Sequence, residues 1–131
     1  MKLLNDKARK LVLQMIRANL QLVEVESGLC RFNFRCADNA VHDAIQNDNE
    51  KIAMVFYIDG QFPIIHFINV SSGGELIDNT LGNWSSQYEY YLIRYINKNT
   101  FFNIHSVFIN YRKELRKNLP FFVRLFSNED F

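Results

Sequence analysis

Three side chains of this 131-residue chain could together perform acyl-transfer chemistry: Cys36, His66 and Asp78. A thiol at the start of a helix lies at the positive end of the helix dipole, which favours the nucleophilic thiolate. A histidine can accept the thiol proton, and a carboxylate at the far ring nitrogen can orient the imidazole. The order Cys, His, Asp therefore gives the hypothesis of a catalytic triad.

The contact between His66 and Asp78 depends on one turn. The two residues lie on short apolar runs joined by Ser71-Ser72-Gly73-Gly74. If the first three of these residues form the loop, His66 directly faces Asp78, and opposed Cβ atoms lie about 4.5–5.5 Å apart. If the glycine pair is a two-residue turn, His66 faces Leu81 instead. A slip of one residue would place the pair on opposite faces of the sheet.

The composition indicates one globular domain. Hydrophobic residues make up 48% of the chain and aromatic residues 15%, and 131 residues are enough for one core. A formal net charge of +1 gives no general attraction to nucleic acid or to anionic membranes. There is no apolar run long enough to cross a bilayer and no export signal. We therefore expect a cytoplasmic protein with reduced cysteines, and no bound cofactor or metal.

Hydrophobic periodicity predicts an α+β fold in which helices flank a small antiparallel sheet. Asn5 is the expected cap of a first helix over about residues 6–20, and residues 20–25 either continue it or become extended. A second helix over about 35–46 carries an apolar face of Ala37, Ala40, Val41, Ala44 and Ile45. Strands are predicted over 51–58, around His66 and Asp78 and over 88–96, although a helix is also possible over 88–96. A last helix is predicted over 101–118.

The middle of the chain resembles the papain-like superfamily, on its transglutaminase-like side. The resemblance covers about residues 30–96 and depends on Cys36-Ala37-Asp38-Asn39-Ala40, Pro63-Ile64-Ile65-His66, Gly74-Glu75-Leu76-Ile77-Asp78-Asn79-Thr80-Leu81-Gly82 and Tyr90-Tyr91. It implies a papain-like core with a catalytic Cys36, His66 and Asp78, acting as a peptidase, amidase, deamidase or transglutaminase on a protein or peptide. Small phage and bacterial proteins of this type exist, and a short chain rich in Phe and Asn suits a phage origin.

Two features of the predicted site stay open from sequence. Cys30, between Leu29 and Arg31, is the alternative nucleophile, although no clear helix follows it. A negatively charged oxygen formed by attack on a carbonyl needs hydrogen-bond donors, which the backbone N–H of Cys36 and an amide of Asn33, Asn39 or Gln61 could provide. The ordinary alternative is that Cys36 is a packing residue, His66 a core residue and Asp78 a turn cap.

A non-catalytic interaction protein on the same fold is the alternative function, such as a phage protein that inhibits a host or defence factor. Its interface would use the basic helix end at 112–117 and the apolar C-terminal residues Phe121, Phe122, Leu125 and Phe126. The basic segment is better explained by the helix dipole than by nucleic acid. Trp84, Tyr88, Tyr90 and Tyr91 could line a cleft, while His42 is expected to be exposed.

Overall fold

The computed structural model describes residues 2–31, 33 and 35–126, with only the backbone of residues 122, 125 and 126. The class is α+β, as predicted. In chain order the elements are α1 (Lys2–Asn19), β1 (Gln21–Val23), β2 (Val25–Ser27), α2 (Cys36–Gln46), β3 (Lys51–Asp59), β4 (Phe62–Val70), β5 (Leu76–Asp78), β6 (Glu89–Asn97), α3 (Ile104–Lys117) and α4 (Phe121–Phe126). Short 3₁₀ helices, Gly82–Gln87 and Lys98–Asn103, flank β6.

The described strands form one six-stranded sheet in the order β1-β6-β3-β4-β5-β2. The pairs are antiparallel except for β2 and β5, which run parallel. The predicted antiparallel sheet is therefore present except at the β2 edge, where the pairing is parallel. Residues 20–27 leave α1 as two short strands that pair at opposite edges of the sheet, and their three-residue lengths carry too little periodicity to be recognised in the sequence.

All four helices lie on one face of the sheet. Their buried side chains form a core with β3, β4 and β6 that includes Phe56, Phe67 and Tyr111. The opposite face has its own smaller apolar cluster, whose members come from strands and the segments beside them: Ala53, Val55, Ile68, Val70, Leu76 and Tyr90, with Val23, Val25, Tyr57, Tyr88 and Leu92 at its margin. His66 alternates with Ile65 and Phe67, so its side chain belongs to this second face.

A bulge in β6 decides which tyrosine reaches the second face. Met54 of β3 is opposite Arg94, whereas the next residue, Val55, is opposite Leu92, so Ile93 is an extra residue in the ladder. One extra residue exchanges the faces to which the β6 side chains on the far side of the bulge from Arg94 point, Tyr90 and Tyr91 among them. Tyr90 therefore lies on the face of His66, and Tyr91 lies among the helices.

The predicted helices are present, with corrected ends and faces. The first helix begins at Lys2, so Asn5 lies inside it and is not its cap. The second begins at Cys36, and its face buries Ala37, Ala40 and Ala44 as expected, but Ile45 is 57% exposed. In the segment predicted as a last helix, 98–103 is a 3₁₀ turn and α3 follows. Among the described residues, none of the helices has both the length and the apolar character needed to cross a bilayer.

Candidate active site

The turn between β4 and β5 is of the predicted length but starts one residue later. Val70 faces Leu76, and the N–H of Ser71 donates to the carbonyl of Glu75 at 2.9 Å. The loop is therefore 72–74, ending with Gly74 at φ +89°, where the left-handed region favours glycine. Neither predicted register was right.

The corrected register still brings His66 to Asp78. Continuing the ladder places Asp78 opposite Ile68, two residues from His66 on the same strand. A shift of two residues preserves the face, so the pair meets diagonally and not directly. Nε2 of His66 lies 2.8 Å from Oδ2 of Asp78, and both side chains are buried.

Asp78 is fully buried and accepts four hydrogen bonds. Its Oδ1 receives the backbone N–H groups of Thr80 at 2.9 Å and Leu81 at 2.8 Å. Its Oδ2 receives His66 and the hydroxyl of Tyr90, the latter at 2.7 Å. Burial disfavours the ionised carboxylate, but these donors outweigh burial and lower the pKa of Asp78. The turn-cap role and the histidine contact, considered as alternatives from sequence, are thus combined in one carboxylate.

Cys36 lies at the first position of α2, beside β4. β5 pairs only with Asn69 and Val70 of β4, which leaves the β4 backbone near His66 accessible to the helix. The His66 side chain and the backbone of Phe67 and Ala37 are near enough to the Cys36 sulfur to lower the pKa of the thiol. Because Nε2 faces Asp78, Nδ1 is the ring nitrogen left for the thiol.

The charges of Cys36 and His66 stabilise each other. Burial opposes ionisation of the Cys36 thiol, but the nearby His66 side chain and its positive charge outweigh burial and lower the thiol pKa. Burial also opposes the imidazolium, yet the hydrogen bond to Asp78 and the nearby Cys36 thiol raise the pKa of His66 to about 9. Both directions favour a thiolate–imidazolium pair near neutral pH.

Two of the three residues border an open cavity of about 890 Å³. Cys36 and His66 lie in its lining, together with apolar and aromatic side chains that include Tyr57, Trp84 and Tyr88. Cys30 also lines the cavity, but its backbone pairs with Leu81 in an isolated bridge. Among the described residues, Cys36 acts on the pKa of His66, whereas Cys30 does not. The geometry therefore favours Cys36 over Cys30 as the thiol of the site.

The three candidate amide donors lie in different surroundings, and within the part of the chain that the structure describes only one of them has a free NH₂ group at the cavity. Gln61 lies in the β3–β4 turn and lines a different cavity, beside α1. The amide nitrogen of Asn39 donates to Oδ1 of Asn33 at 2.9 Å and to Oγ1 of Thr80 at 3.0 Å, so it is already used and does not bond to local backbone. Asn33 lines the cavity and accepts through its oxygen, which leaves its NH₂ group as the remaining amide candidate.

Several supporting residues were not identified as such from sequence. Tyr90 was considered only as a cleft residue, yet its hydroxyl holds Asp78. Arg31 forms a two-bond ion pair with Asp43, at 2.6 and 2.8 Å, and also donates to the carbonyl of Asn79 at 2.8 Å. These contacts tie the segment before Cys36 to α2 and to the end of β5. Long-range pairs of this kind leave no local pattern in a sequence.

The other predicted surface features have mixed outcomes. Trp84 and Tyr88 line the cavity, whereas Tyr91 donates to Glu89 on the helix face. His42 is exposed, as expected. In the C-terminal segment Phe121 is 58% exposed, and the side chains of Phe122, Leu125 and Phe126 lie outside the described residues. In the basic segment, Arg116 donates to the carbonyl of Arg124 at 2.8 Å.

Comparisons of the chain with protein families, with curated proteins and with solved structures found no match.

Proposed function

We propose that this protein is a cysteine-dependent acyl-transfer enzyme that uses Cys36, His66 and Asp78 on a papain-like core. The observation that carries the proposal is the chain of contacts from a thiol at a helix start, through a buried imidazole, to a fully buried carboxylate with four donors. A packing cysteine and a core histidine would need no such carboxylate, since burying a charge is costly unless it is compensated.

The reaction begins with the Cys36 thiolate. Its sulfur attacks a substrate carbonyl carbon, a C–S bond forms, and the carbonyl π electrons move to the oxygen. When the tetrahedral intermediate collapses, the bond to the leaving group breaks, and the imidazolium of His66 gives its proton to that group. The product of this half is a thioester on Cys36.

The second half releases the acyl group. Water, or an amine in a transferase, attacks the thioester, and His66 takes the proton of the attacking group. The C–S bond then breaks and the thiolate returns beside the imidazolium. Asp78 stays ionised throughout and holds the imidazole in place, because its other donors keep its pKa low.

The cavity indicates the substrate class. Its lining is largely apolar and aromatic, with Trp84 56% exposed at the wall. A peptide or protein substrate with an apolar side chain next to the reacting carbonyl fits this surface. The site needs a free thiol, and neither cysteine of the described structure is in a disulfide, so we place the protein in a reducing cytoplasm, of the host if the chain is from a phage.

The test is alkylation with iodoacetamide, with the adduct located by peptide mass spectrometry between pH 5 and 9. We expect Cys36 to react ahead of Cys30 at pH 6, because only its thiolate is stabilised by His66. The variant His66→Ala should slow Cys36 at pH 6 by about tenfold or more, since each unit of pKa is a tenfold change in thiolate fraction.

The matched control is Cys30→Ser, which should leave the Cys36 profile unchanged. Preferential reaction of Cys30, or a Cys36 rate in folded His66→Ala equal to that of the wild type, would contradict the proposal. Catalytic competence has its own readout: p-nitrophenyl acetate should leave an acetyl group on Cys36.

The second candidate function, a non-catalytic interaction protein, is favoured by one observation. Phe102, in the 3₁₀ helix before α3, is 90% exposed and could contact a partner. In that case Cys36→Ser would leave partner binding intact, and the ester would not acylate Cys36.

A further inference from the structure

Tyr57 lies against the catalytic imidazole. On β3 it follows Val55, the residue opposite His66, by two positions and so shares the face of His66. The two ring centroids are 5.0 Å apart at an interplanar angle of 83°, an edge-to-face contact. Tyr57 is half-buried and lines the same cavity as Cys36 and His66.

The hydroxyl of Tyr57 is not used by the fold. Tyr90 and Tyr91 each donate to a carboxylate, Asp78 and Glu89 respectively. Tyr57 makes no hydrogen bond to any residue in the described part of the chain. Within that part no fully buried side-chain oxygen or nitrogen lacks a partner, so this hydroxyl is open to the cavity. A donor open to a cavity beside a nucleophile is available to a substrate.

The hydroxyl also stays protonated over the working pH range. Burial, together with the negative charges that Tyr88 and Cys36 can carry, raises the pKa of Tyr57 to about 12. It therefore remains a hydrogen-bond donor whenever Cys36 is a thiolate.

We propose that Tyr57 is a catalytic residue whose hydroxyl donates to the oxygen of the carbonyl that Cys36 attacks. The inference rests on the proposed acyl-transfer function. In the tetrahedral intermediate the C–S bond has formed and the electron pair of the carbonyl lies on its oxygen, where a preorganised donor acts most strongly. Because Asn39 is engaged with Asn33 and Thr80, the predicted amide donors are reduced to the NH₂ group of Asn33, and Tyr57 adds a side-chain donor next to His66.

The experiment compares two reactions of the same thiol. Attack of Cys36 on p-nitrophenyl acetate passes through a tetrahedral oxyanion, whereas alkylation by iodoacetamide displaces iodide without one. Both rates are measured at Cys36 by mass spectrometry, on wild type, Tyr57→Phe, Tyr88→Phe and Tyr91→Phe. Tyr91→Phe is the matched control, because it removes a tyrosine hydroxyl from the opposite face of the sheet.

We expect Tyr57→Phe to lower the acylation rate at least tenfold, toward the roughly 100-fold loss typical of one such donor, with alkylation within about twofold of wild type. Tyr91→Phe should leave the ratio of the two rates unchanged. A parallel fall of both rates in Tyr57→Phe would overturn the proposal, because it would mean that Tyr57 only positions His66.

Unchanged rates in Tyr57→Phe would also overturn it, as would a selective fall in Tyr88→Phe alone. If wild-type Cys36 is alkylated but never acylated, the acyl-transfer function itself fails and this proposal fails with it. Wild-type acylation that Tyr57→Phe does not alter leaves the proposed function intact and removes only Tyr57.

Discussion

His66 connects the two chemical partners of the site through its two ring nitrogens. Asp78 holds Nε2 at 2.8 Å, and Cys36 is the second partner that raises the pKa of the ring. Removing the imidazole from water alone would lower its pKa, so a value of about 9 requires both partners. The surroundings of a residue that the sequence presents as part of an apolar strand therefore favour its charged form.

This charge state predicts how stability depends on pH. The raised pKa of His66 contributes stability that is complete below its ordinary value, 6.5, and is lost as pH rises through about 9. The lowered pKa of Cys36 contributes stability that is present above its ordinary value, 9.0, and is lost as pH falls through its folded value. Wherever folded Cys36 is ionised and unfolded Cys36 is not, its missing proton offsets the extra proton on folded His66, so the loss of wild-type stability with rising pH should be small there.

Replacing Cys36 by alanine should remove that balance. His66 keeps Asp78 but loses one of the two partners that raise its pKa, so the free energy of unfolding should fall more steeply than in the wild type as pH rises above about 6.5, and the fall should end below pH 9. Urea unfolding at several pH values measures the slope. Cys30→Ala, which alters the other cavity thiol, should keep the wild-type profile, and the same profile in Cys36→Ala as in the wild type would contradict the balance.

At the scale of elements, the site depends on irregularities in otherwise regular strands. The loop 72–74 sets the diagonal between β4 and β5, and the bulge at Ile93 turns Tyr90 toward Asp78. The segment before α2 is held by Arg31 and by the bridge between Cys30 and Leu81. The bulge shifts the register of β6 by one residue, which is the smallest change that moves a side chain to the other face of the sheet.

Gly82 shows how closely these segments pack. Gly60 and Gly82 both have left-handed backbones, at φ +63° and +57°. A Cβ at Gly60 would meet nothing within 4 Å, but one at Gly82 would lie 2.7 Å from the Cβ of Cys30 and 3.0 Å from its Cα. Gly60→Ala is therefore a matched control that carries only the backbone cost, roughly 1–2 kcal/mol.

We expect Gly82→Ala to be more destabilising than Gly60→Ala, because the Cys30 backbone must also move. Urea unfolding of the two variants gives the difference. Equal losses in the two variants would mean that the bridge between Cys30 and Leu81 is loose and does not hold the segment before Cys36.

At the scale of the whole molecule, the sheet separates two apolar cores, one on each face. The helix-covered core carries most of the buried apolar side chains, including those of α1, α2 and α3. The smaller cluster on the other face surrounds Asp78 and His66 with strand residues. This arrangement leaves room for a cavity beside the site, while the larger core supports the strands from behind.

Because β3 and β4 contribute to both cores, the cores should unfold together. Phe56→Ala, on the helix side, should cost about 3–5 kcal/mol, and Ile68→Ala, on the site side, about 2–5 kcal/mol, since both side chains are fully buried. Far-UV circular dichroism and tryptophan fluorescence should give coincident transitions in each variant. Separate transitions would mean that the face with the site unfolds independently of the helical core.

The sequence by itself determined the main elements and the chemistry they could carry. Strong periodicity predicted α2 and β3, and the order of Cys36, His66 and Asp78 predicted which side chains could form the site. Only the tertiary structure decided the register that joins them, the bulge that brings Tyr90, and which cysteine acts on the pKa of His66. Helix and strand patterns are local properties of the chain. Register, bulges and contacts between distant segments depend instead on the packing of the whole sheet, where a shift of one residue reverses a face without changing any local pattern.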